Sequence, residues 1–563
     1  MKISTETVEK ILKWLILIPF ACIIFFLAVV SIFGSCYVNS DEYSYFVTDY
    51  ALINIAIFIL SVLGIMGIQK IVSKKQIFRK DLLWKGVLIF YAISLLCIVL
   101  YVQVEPRADQ EGIVREALKL LNHDYSGFNK GGYLEMYPNQ IGVVSFFALI
   151  LKIFPFGNNC FRILNVVSLV VIVIYFSKLG RICIKGEKEQ QYTTGICVLL
   201  FLPISMYVTF IYGTLIGMAF SIAGLYYAYC FLQNQKYRYF IYSAVLLALS
   251  VLIKENYIIP VIGIILYFLF YFFKTRNKRF VFGIACIICA TVGLSKIVSL
   301  GTTVYSGRDL SGGMPTTAWI AMGLQEGYLS CGWYNGYNYH TYIENNNDTK
   351  VTNEEALASI KNSVNQFINN PASALKFFFK KTVSQWNNPT FQCFWINDLV
   401  TREKDNIQIK SVSNFWESFL GEPGNRIAKE YMNLFQTCIL MGVLVWIVLR
   451  KDNIGVNDLL LAVIFLGGFF FHLLWEAKCQ YTMPYFMLLF PYAIQGYSVL
   501  TMKLKTMRVN VQDKKEDVKK SEVMIIGVML LCLALISVIG SKYVDKALGF
   551  GTERYYNYVK NCK

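Results

Sequence analysis

Charge is the first shortage in this chain. Only 16% of the 563 residues are charged while 56% are hydrophobic, and the mean hydropathy is +0.48. Soluble domains over this length need far more charged surface, so a string of them is excluded. Histidine is scarcer still: His123, His340 and His472 are too few and too scattered for a zinc site. There is no P-loop and no glycine fingerprint after a strand, and no cytoplasmic segment is large enough to hold a nucleotide. The first apolar run, Ile11 to Gly34, lacks the small-residue cleavage site of a signal peptide and reads as a retained anchor. Internal repeats are missing as well, and the charged run Asp513 to Glu522 is the only biased tract.

What the chain has in abundance is apolar runs of about 16–24 residues, the length that crosses a hydrocarbon core of roughly 30 Å. They predict spans over 11–34, 51–68, 85–103, 162–180, 193–211, 214–232, 239–253, 258–273, 280–299, 431–450, 459–476, 482–501 and 523–541. The net charge of +17 sits largely in short connectors: Lys70 to Lys85, Lys178 to Lys188, Lys274 to Arg279, and Lys503 to Lys520. Lys/Arg-rich loops between apolar spans mark the cytoplasmic side. This places the N-terminus inside and the C-terminus outside, and it makes nucleic acid a poor explanation of the charge. Most of the fifteen cysteines, such as Cys22, Cys97, Cys286 and Cys289, lie within apolar runs as small hydrophobes. Cys331 and Cys393 share the large outer segment and could pair, though nothing in the sequence requires it.

Ile141 to Phe156 breaks the count. Taken as a full span it would put the basic loop 178–192 outside, so it is predicted to lie at or partly dip into the outer face. Two outer segments remain. The first is 104–140, with acids and aromatics interleaved, and the second is 301–429, the size of a small domain. The second has glycine-rich turns, a helical pattern from Asn353 to Lys381, and many aromatics (Trp319, Trp333, Tyr334, Tyr337, Trp386, Trp395, Trp416). These rings suit either a lid on the membrane face or an ordinary interfacial belt.

Three outer boundaries carry charge. Glu105-Pro106-Arg107-Ala108-Asp109-Gln110-Glu111 begins where a span ends. A carboxylate beside the membrane is partly desolvated, which suits a general base, although a solvated acid that ends a helix is the plainer reading. Lys254, in Lys254-Glu255-Asn256-Tyr257, stands on the side where lysine is unexpected and needs a partner. A lipid phosphate, an internal pair with Glu255, or snorkelling to headgroups would each serve. Trp475 to Pro484 carries Glu476, Lys478 and Tyr481, and Arg162 at the start of the fourth predicted span is placed to join them.

These residues resemble the GT-C class of integral membrane glycosyltransferases, especially the bacterial relatives of protein mannosyltransferases. Ala108-Asp109-Gln110 with Ile113 to Ala117 looks like the class's acidic outer-loop motif. Tyr133 through Gly142, with Tyr137, Pro138, Asn139 and Gln140, is similar to the start of its juxtamembrane helix. Lys254 follows a short span as relatives place a basic residue, and Glu476, Lys478, Tyr481 and Pro484 look like a late acid–basic–Tyr–Pro motif. The likeness covers roughly 85–500. The first two spans look like an added hairpin, and Tyr212-Gly213-Thr214 lacks the second acid that many relatives carry.

The resemblance implies an all-α polytopic membrane protein, a GT-C-like bundle of about 13 transmembrane helices with outer juxtamembrane helices and a small extracytoplasmic domain. The expected organisation is an N-terminal hairpin (1–84), a core (85–300) with the first outer loop, a lid (301–429), and a C-terminal core (430–502). A basic loop (503–522) and a last span with an outer tail (523–563) follow. The expected place is the bacterial plasma membrane, among membrane lipids. The expected reaction is inverting transfer of a sugar from a polyprenyl-phosphate donor to an outer glycan, teichoic-type polymer, lipid or protein. Asp109 would be the base, while Lys254, Arg162 and Lys478 would hold the donor phosphate. Arg107, Gln110, Tyr137, Asn139, Gln140, Glu255, Glu476 and Tyr481 would contact substrates. No cofactor is expected: a divalent metal is possible on family grounds but not favoured with the second acid missing. A lipid or oligosaccharide flippase or transporter, and a polysaccharide polymerase or ligase, are the competing readings. The first would put charges deep within spans, and the second would rest on outer-loop arginines.

Overall fold

The computed structural model describes residues 5–49, 52–64, 77–183, 188–308, 312–397 and 421–512, apart from 40, 57, 61, 103, 105 and 422. Glu105, Trp416, the predicted span 523–541 and much of two basic connectors therefore lie outside the described residues.

The chain opens with helix α1 (Thr5–Phe33), followed by a two-stranded antiparallel hairpin, β1 (Gly34–Val38) and β2 (Ser44–Thr48). α2 (Ile77–Tyr101) leads to α3 (Asp109–Leu121) and α4 (Ile141–Ile153), which pack on each other. The central bundle comprises α5 (Asn158–Cys183), α6 (Lys188–Leu200), α7 (Thr214–Asn234), α8 (Tyr237–Ile253), α9 (Ile258–Thr275) and α10 (Arg279–Ser306). Then come α11 (Thr316–Gly323), α12 (Thr349–Asn369) and α13 (Pro371–Trp386). α14 (Gly424–Arg450), α15 (Leu460–Leu474), α16 (Cys479–Met487) and α17 (Phe490–Gln512) complete the described chain.

Among the described residues eight helices are long and apolar enough to cross a membrane. A ninth is formed if α6 and Leu202–Thr209, bent by 59°, count as one broken span. Helices are the form an open chain takes in lipid, because each satisfies its own backbone donors and acceptors. Of the thirteen predicted spans, 523–541 and part of 51–68 lie outside the described residues, and three others fall short for physical reasons. The predicted span 193–211 breaks before Pro203, and 482–501 divides between α16 and α17 just before Pro491. Proline lacks the N–H that would continue the helix. α8 is only 17 residues long. The helical pattern 353–381 is likewise two helices, since Asn370 caps α13 and Pro371 opens it.

Close helix contacts rest on small residues. A Cβ added at Gly496 would stand 2.2 Å from the Gly442 carbonyl, so α14 and α17 meet backbone to backbone. α4 is a 13-residue apolar helix packed against α3 and the bundle. Trp333 and Trp386 are buried at 0% and 1% exposure, which makes them core residues and not an interfacial belt. Cys331 and Cys393 are both free thiols.

Candidate active site

The site is assembled where three chain reversals meet. Ala108, immediately before α3, has φ 51°, a left-handed conformation that costs a residue with a Cβ some strain. This turns Asp109 into the first helical position. The buried Gln110 then accepts a hydrogen bond from the Ile211 N–H (2.9 Å), which draws the 211–214 turn against α3. Gly213, at φ +73°, completes that turn in contact with Ile253, the last residue of α8. Lys254 follows directly, its backbone extended, as α8 ends.

The result places an acid and a cation on one aromatic ring. The Tyr212 hydroxyl donates to Asp109 Oδ2 (2.9 Å), and the Lys254 ammonium lies 4.0 Å from the centroid of the same Tyr212 ring. Lys254 Nζ donates to Thr214 Oγ1 (3.1 Å), and Gln140 Nε2 reaches the Tyr212 hydroxyl at 3.4 Å. The Tyr481 ring sits 5.6 Å from Lys254 Nζ. Asp109 itself is exposed. Burial pulls the Lys254 ammonium down to about 7, partly opposed by the Asp109 charge and reinforced by Lys478.

A second group adjoins the first. Lys478 pairs with Glu42 at 3.2 Å and lies 5.7 Å from the Trp395 ring, whose face also carries the Arg107 guanidinium at 3.8 Å. Burial alone would lower Lys478, but the neighbouring acids, Glu42 first and then Glu476 and Asp109, outweigh it and raise the ammonium above its ordinary value. Glu476, 6% exposed, is pushed up to about 7 by burial, with Lys478 opposing and Asp109 and Glu42 reinforcing. Below it Lys381, fully buried, donates to the carbonyls of Gly323 and Trp475 and anchors the strand of chain that carries Glu476.

Asp109, Gln140, Lys254, Tyr481, Lys478, Glu476 and Arg107 of the predicted set thus share one neighbourhood. Tyr137 borders it, its ring 5.1 Å from Tyr133 and 6.3 Å from Trp319, and the Asp109 and Glu476 charges reach its hydroxyl. Arg162 acts differently: it is buried at 2% exposure and donates to the Val104 carbonyl and to Asn159. It braces the chain just ahead of Asp109. Asn139 and Glu255 are exposed in short 3-10 turns. Tyr212, Thr214, Trp395 and Glu42 were not among the predicted site residues, and Trp395 stood only among the aromatics of the second outer segment. Tyr212 and Thr214 stood out only as a missing acid, and Glu42 carried the same signal as Asp109, an acid soon after an apolar run ends.

Charged side chains gathered at helix ends in a helical membrane bundle are the arrangement that the sequence's resemblance to the GT-C class implies. The sequence comparison agrees with it: residues 141–295 match the family described as dolichyl-phosphate-mannose-protein mannosyltransferase. That stretch holds Arg162, Tyr212 and Lys254, while Asp109, Glu42 and Lys478 lie outside it. Among solved structures, the crystal structure of ArnT from Cupriavidus metallidurans bound to undecaprenyl phosphate is similar over 77% of this chain and 81% of that one. The identity there is 12% and the TM-score 0.31. No curated protein matches the sequence.

Proposed function

We propose that this protein is an inverting glycosyltransferase that moves a sugar from a polyprenyl-phosphate donor to an acceptor at the outer face. The acceptor would be a cell-wall glycan, a teichoic-type polymer, a lipid or a protein. One observation carries the reading: Asp109 and Lys254 engage the same tyrosine, one through its hydroxyl and the other over its ring. A base and a cation held this close suit a reaction that removes a proton on one side of a carbon and expels an anion on the other.

In this mechanism Asp109 accepts the proton of the acceptor hydroxyl as that oxygen attacks the anomeric carbon. The bond to the phosphate oxygen breaks on the opposite face, which inverts the configuration. Lys254 and Lys478 stabilise the negative charge gathering on the departing phosphate, as fixed charges do best in a partly water-excluded site. Arg162 supports the backbone that presents Asp109. The two ammonium groups supply the charge a divalent ion would otherwise bring, so transfer proceeds without metal and should survive EDTA.

The test uses the full chain in proteoliposomes with a panel of labelled undecaprenyl-phosphate-linked sugars and cell-envelope acceptor fractions. Asp109→Asn should lower transfer far more than it weakens binding of undecaprenyl phosphate. Undiminished transfer would exclude Asp109 as the base, and movement of donor across the bilayer without any transfer would point to a flippase.

A further inference from the structure

The hairpin β1–β2 precedes the segment that resembles the GT-C core, yet its placement is specific. The strands pair in register from Gly34↔Thr48 to Val38↔Ser44. At the tip, the Asn39 N–H donates to the Tyr43 carbonyl (3.2 Å), and Asn39 Oδ1 accepts from the N–H groups of Asp41 (3.0 Å) and Tyr43 (2.9 Å). The hairpin is docked by its backbone, with Cys36 N–H on the Asn387 carbonyl (2.9 Å) and Ser44 N–H on the Leu329 carbonyl (3.2 Å). Val38 packs with Leu329, Trp333, Ala477 and Cys479, so the hairpin touches the residues on either side of Lys478.

Glu42 is the point of this construction. It has φ +66°, a left-handed conformation unfavourable for a side-chain-bearing residue. Its Oε1 both faces Lys478 Nζ and accepts from Gln392 Nε2, each at 3.2 Å. Gln392 also has a positive φ, +62°. The side chains of the ion pair are only 18% and 14% exposed. Two strained backbones thus converge on one carboxylate oxygen, whereas the neighbouring Asp41 is exposed.

Resting on the reading of Lys478 as a donor-phosphate group, we propose that Glu42 is a positioning residue that fixes the Lys478 ammonium toward the donor. The N-terminal hairpin is then part of the reaction centre and not an appendage. The argument is geometric. A lysine head on a four-carbon stem is a mobile point charge with three N–H donors. Glu42 occupies one donor direction and the Trp395 face lies beside the head, which leaves the remaining directions for a phosphate. Without Glu42 the acids whose charges still act on Lys478 are Glu476, two residues back along the same chain, and Asp109. The ammonium would then be drawn toward a buried carboxylate and away from the lipid.

The experiment measures binding of undecaprenyl phosphate to the full chain in lipid nanodiscs, across pH. A hydrogen bond to a charged group is worth roughly 1.5–3 kcal/mol, so Glu42→Gln should weaken binding by about tenfold or more. It should also bring the loss of binding at high pH down the scale, since Glu42 is the largest of the influences holding Lys478 protonated. The other groups facing that ammonium, Tyr481, Glu476, Asp109 and Lys254, remain. Glu42→Asp should recover part of the affinity, and Asp41→Asn should bind like the parent. Parental affinity and pH profile in Glu42→Gln would overturn the proposal. Equal losses in Glu42→Gln and Asp41→Asn with lowered thermal midpoints would overturn it too, since that pattern marks a hairpin that matters only for folding. If Glu42→Gln is silent while Lys478→Met loses binding, the proposed reaction stands and the hairpin's role does not. If Asp109→Asn and Lys478→Met both keep full transfer, the reaction itself is wrong.

Discussion

Lys254 and Lys478 are two lysines at neighbouring helix ends, each within reach of the Asp109 charge, and they are tuned in opposite directions. Lys254 bonds to a neutral hydroxyl and lies over a neutral ring, so burial dominates and its ammonium falls to about 7. Lys478 is also enclosed, but a carboxylate from a different part of the chain sits against it and its ammonium is raised. Lys381 offers a third case: burial lowers it to about 7, with the Glu476 charge opposing, and it donates to two carbonyls. The lesson is that a lysine's charge in such a cavity depends less on depth than on whether a counter-ion is built in beside it. In the proposed reading, Lys478 offers the donor phosphate a standing charge, and Lys254 gains its charge when the anion arrives.

The largest effect that would break this comparison comes from the acid both lysines feel. Asp109→Asn should lower transfer by about 10²–10⁴-fold, the usual contribution of a general base. It also removes the charge that supports both ammonium groups, so binding of undecaprenyl phosphate should weaken modestly and more at alkaline pH. Transfer assays and lipid binding on one preparation separate the two effects.

Next come the lysines themselves. Lys254→Met and Lys478→Met should each weaken donor binding by about ten- to a hundredfold, with different dependence on pH. Lys254 has a folded value near 7 against an ordinary 10.5, so it loses its proton as pH rises through about 7. Parent affinity should therefore decline above that pH, and binding there should draw a proton from solution, which calorimetry in buffers of different ionisation enthalpy would register. The sign also sets stability. Between about 7 and 10.5 the unfolded chain holds a proton the folded one lacks, so this group makes stability rise with pH across that window. Lys254→Met should abolish the proton uptake and leave a flat profile near neutrality. Lys478→Met should keep the proton uptake and the decline of affinity, moved to somewhat higher pH because Lys478 is one of the groups lowering Lys254. Identical profiles for the two variants would erase the proposed difference.

Lys381→Met isolates burial without a lipid-facing role. The side chain is of similar size, but the carbonyls of Gly323 and Trp475 lose their donor, at a cost of about 1–3 kcal/mol. The thermal midpoint should fall while the affinity of correctly folded protein changes little. A large affinity loss without destabilisation would mean that Lys381 also serves the phosphate.

Much of this arrangement was legible in the sequence, and what was not shares a common reason. Long apolar runs are local signals, so α5, α7, α8, α9 and α15 fall within a few residues of the predicted spans, while α1, α10 and α14 run six or seven residues beyond theirs at one end. Charge at a span's end is equally local, which is why Asp109, Lys254 and Lys478 could be named. Arg162 was visible as a charge, but its bond to Val104 depends on a fold that brings two distant turns together. Glu42 sits 436 positions from its partner, and no periodicity relates them. Tyr212 escaped because it was weighed as an absent acid, when its hydroxyl and its ring perform separate tasks.

The smallest expected effect probes that double duty. Tyr212→Phe keeps the ring beneath Lys254 and removes only the hydroxyl that donates to Asp109. Lipid binding should therefore stay within about twofold of the parent, because the ring's negative face, worth about 0.5–2 kcal/mol to a nearby cation, is retained. The turnover rate should fall by about three- to tenfold, in line with about 1 kcal/mol for a hydrogen bond that orients the carboxylate. Gln140, 3.4 Å from the lost hydroxyl, is the neighbour placed to fill in for it. Tyr212→Phe with Gln140→Ala should then fall further than the product of the single effects. Tyr212→Leu, which takes the ring as well, should add the loss of binding that the phenylalanine spares. If phenylalanine and leucine behave alike, the ring plays no part in seating Lys254, and burial alone accounts for its lowered charge.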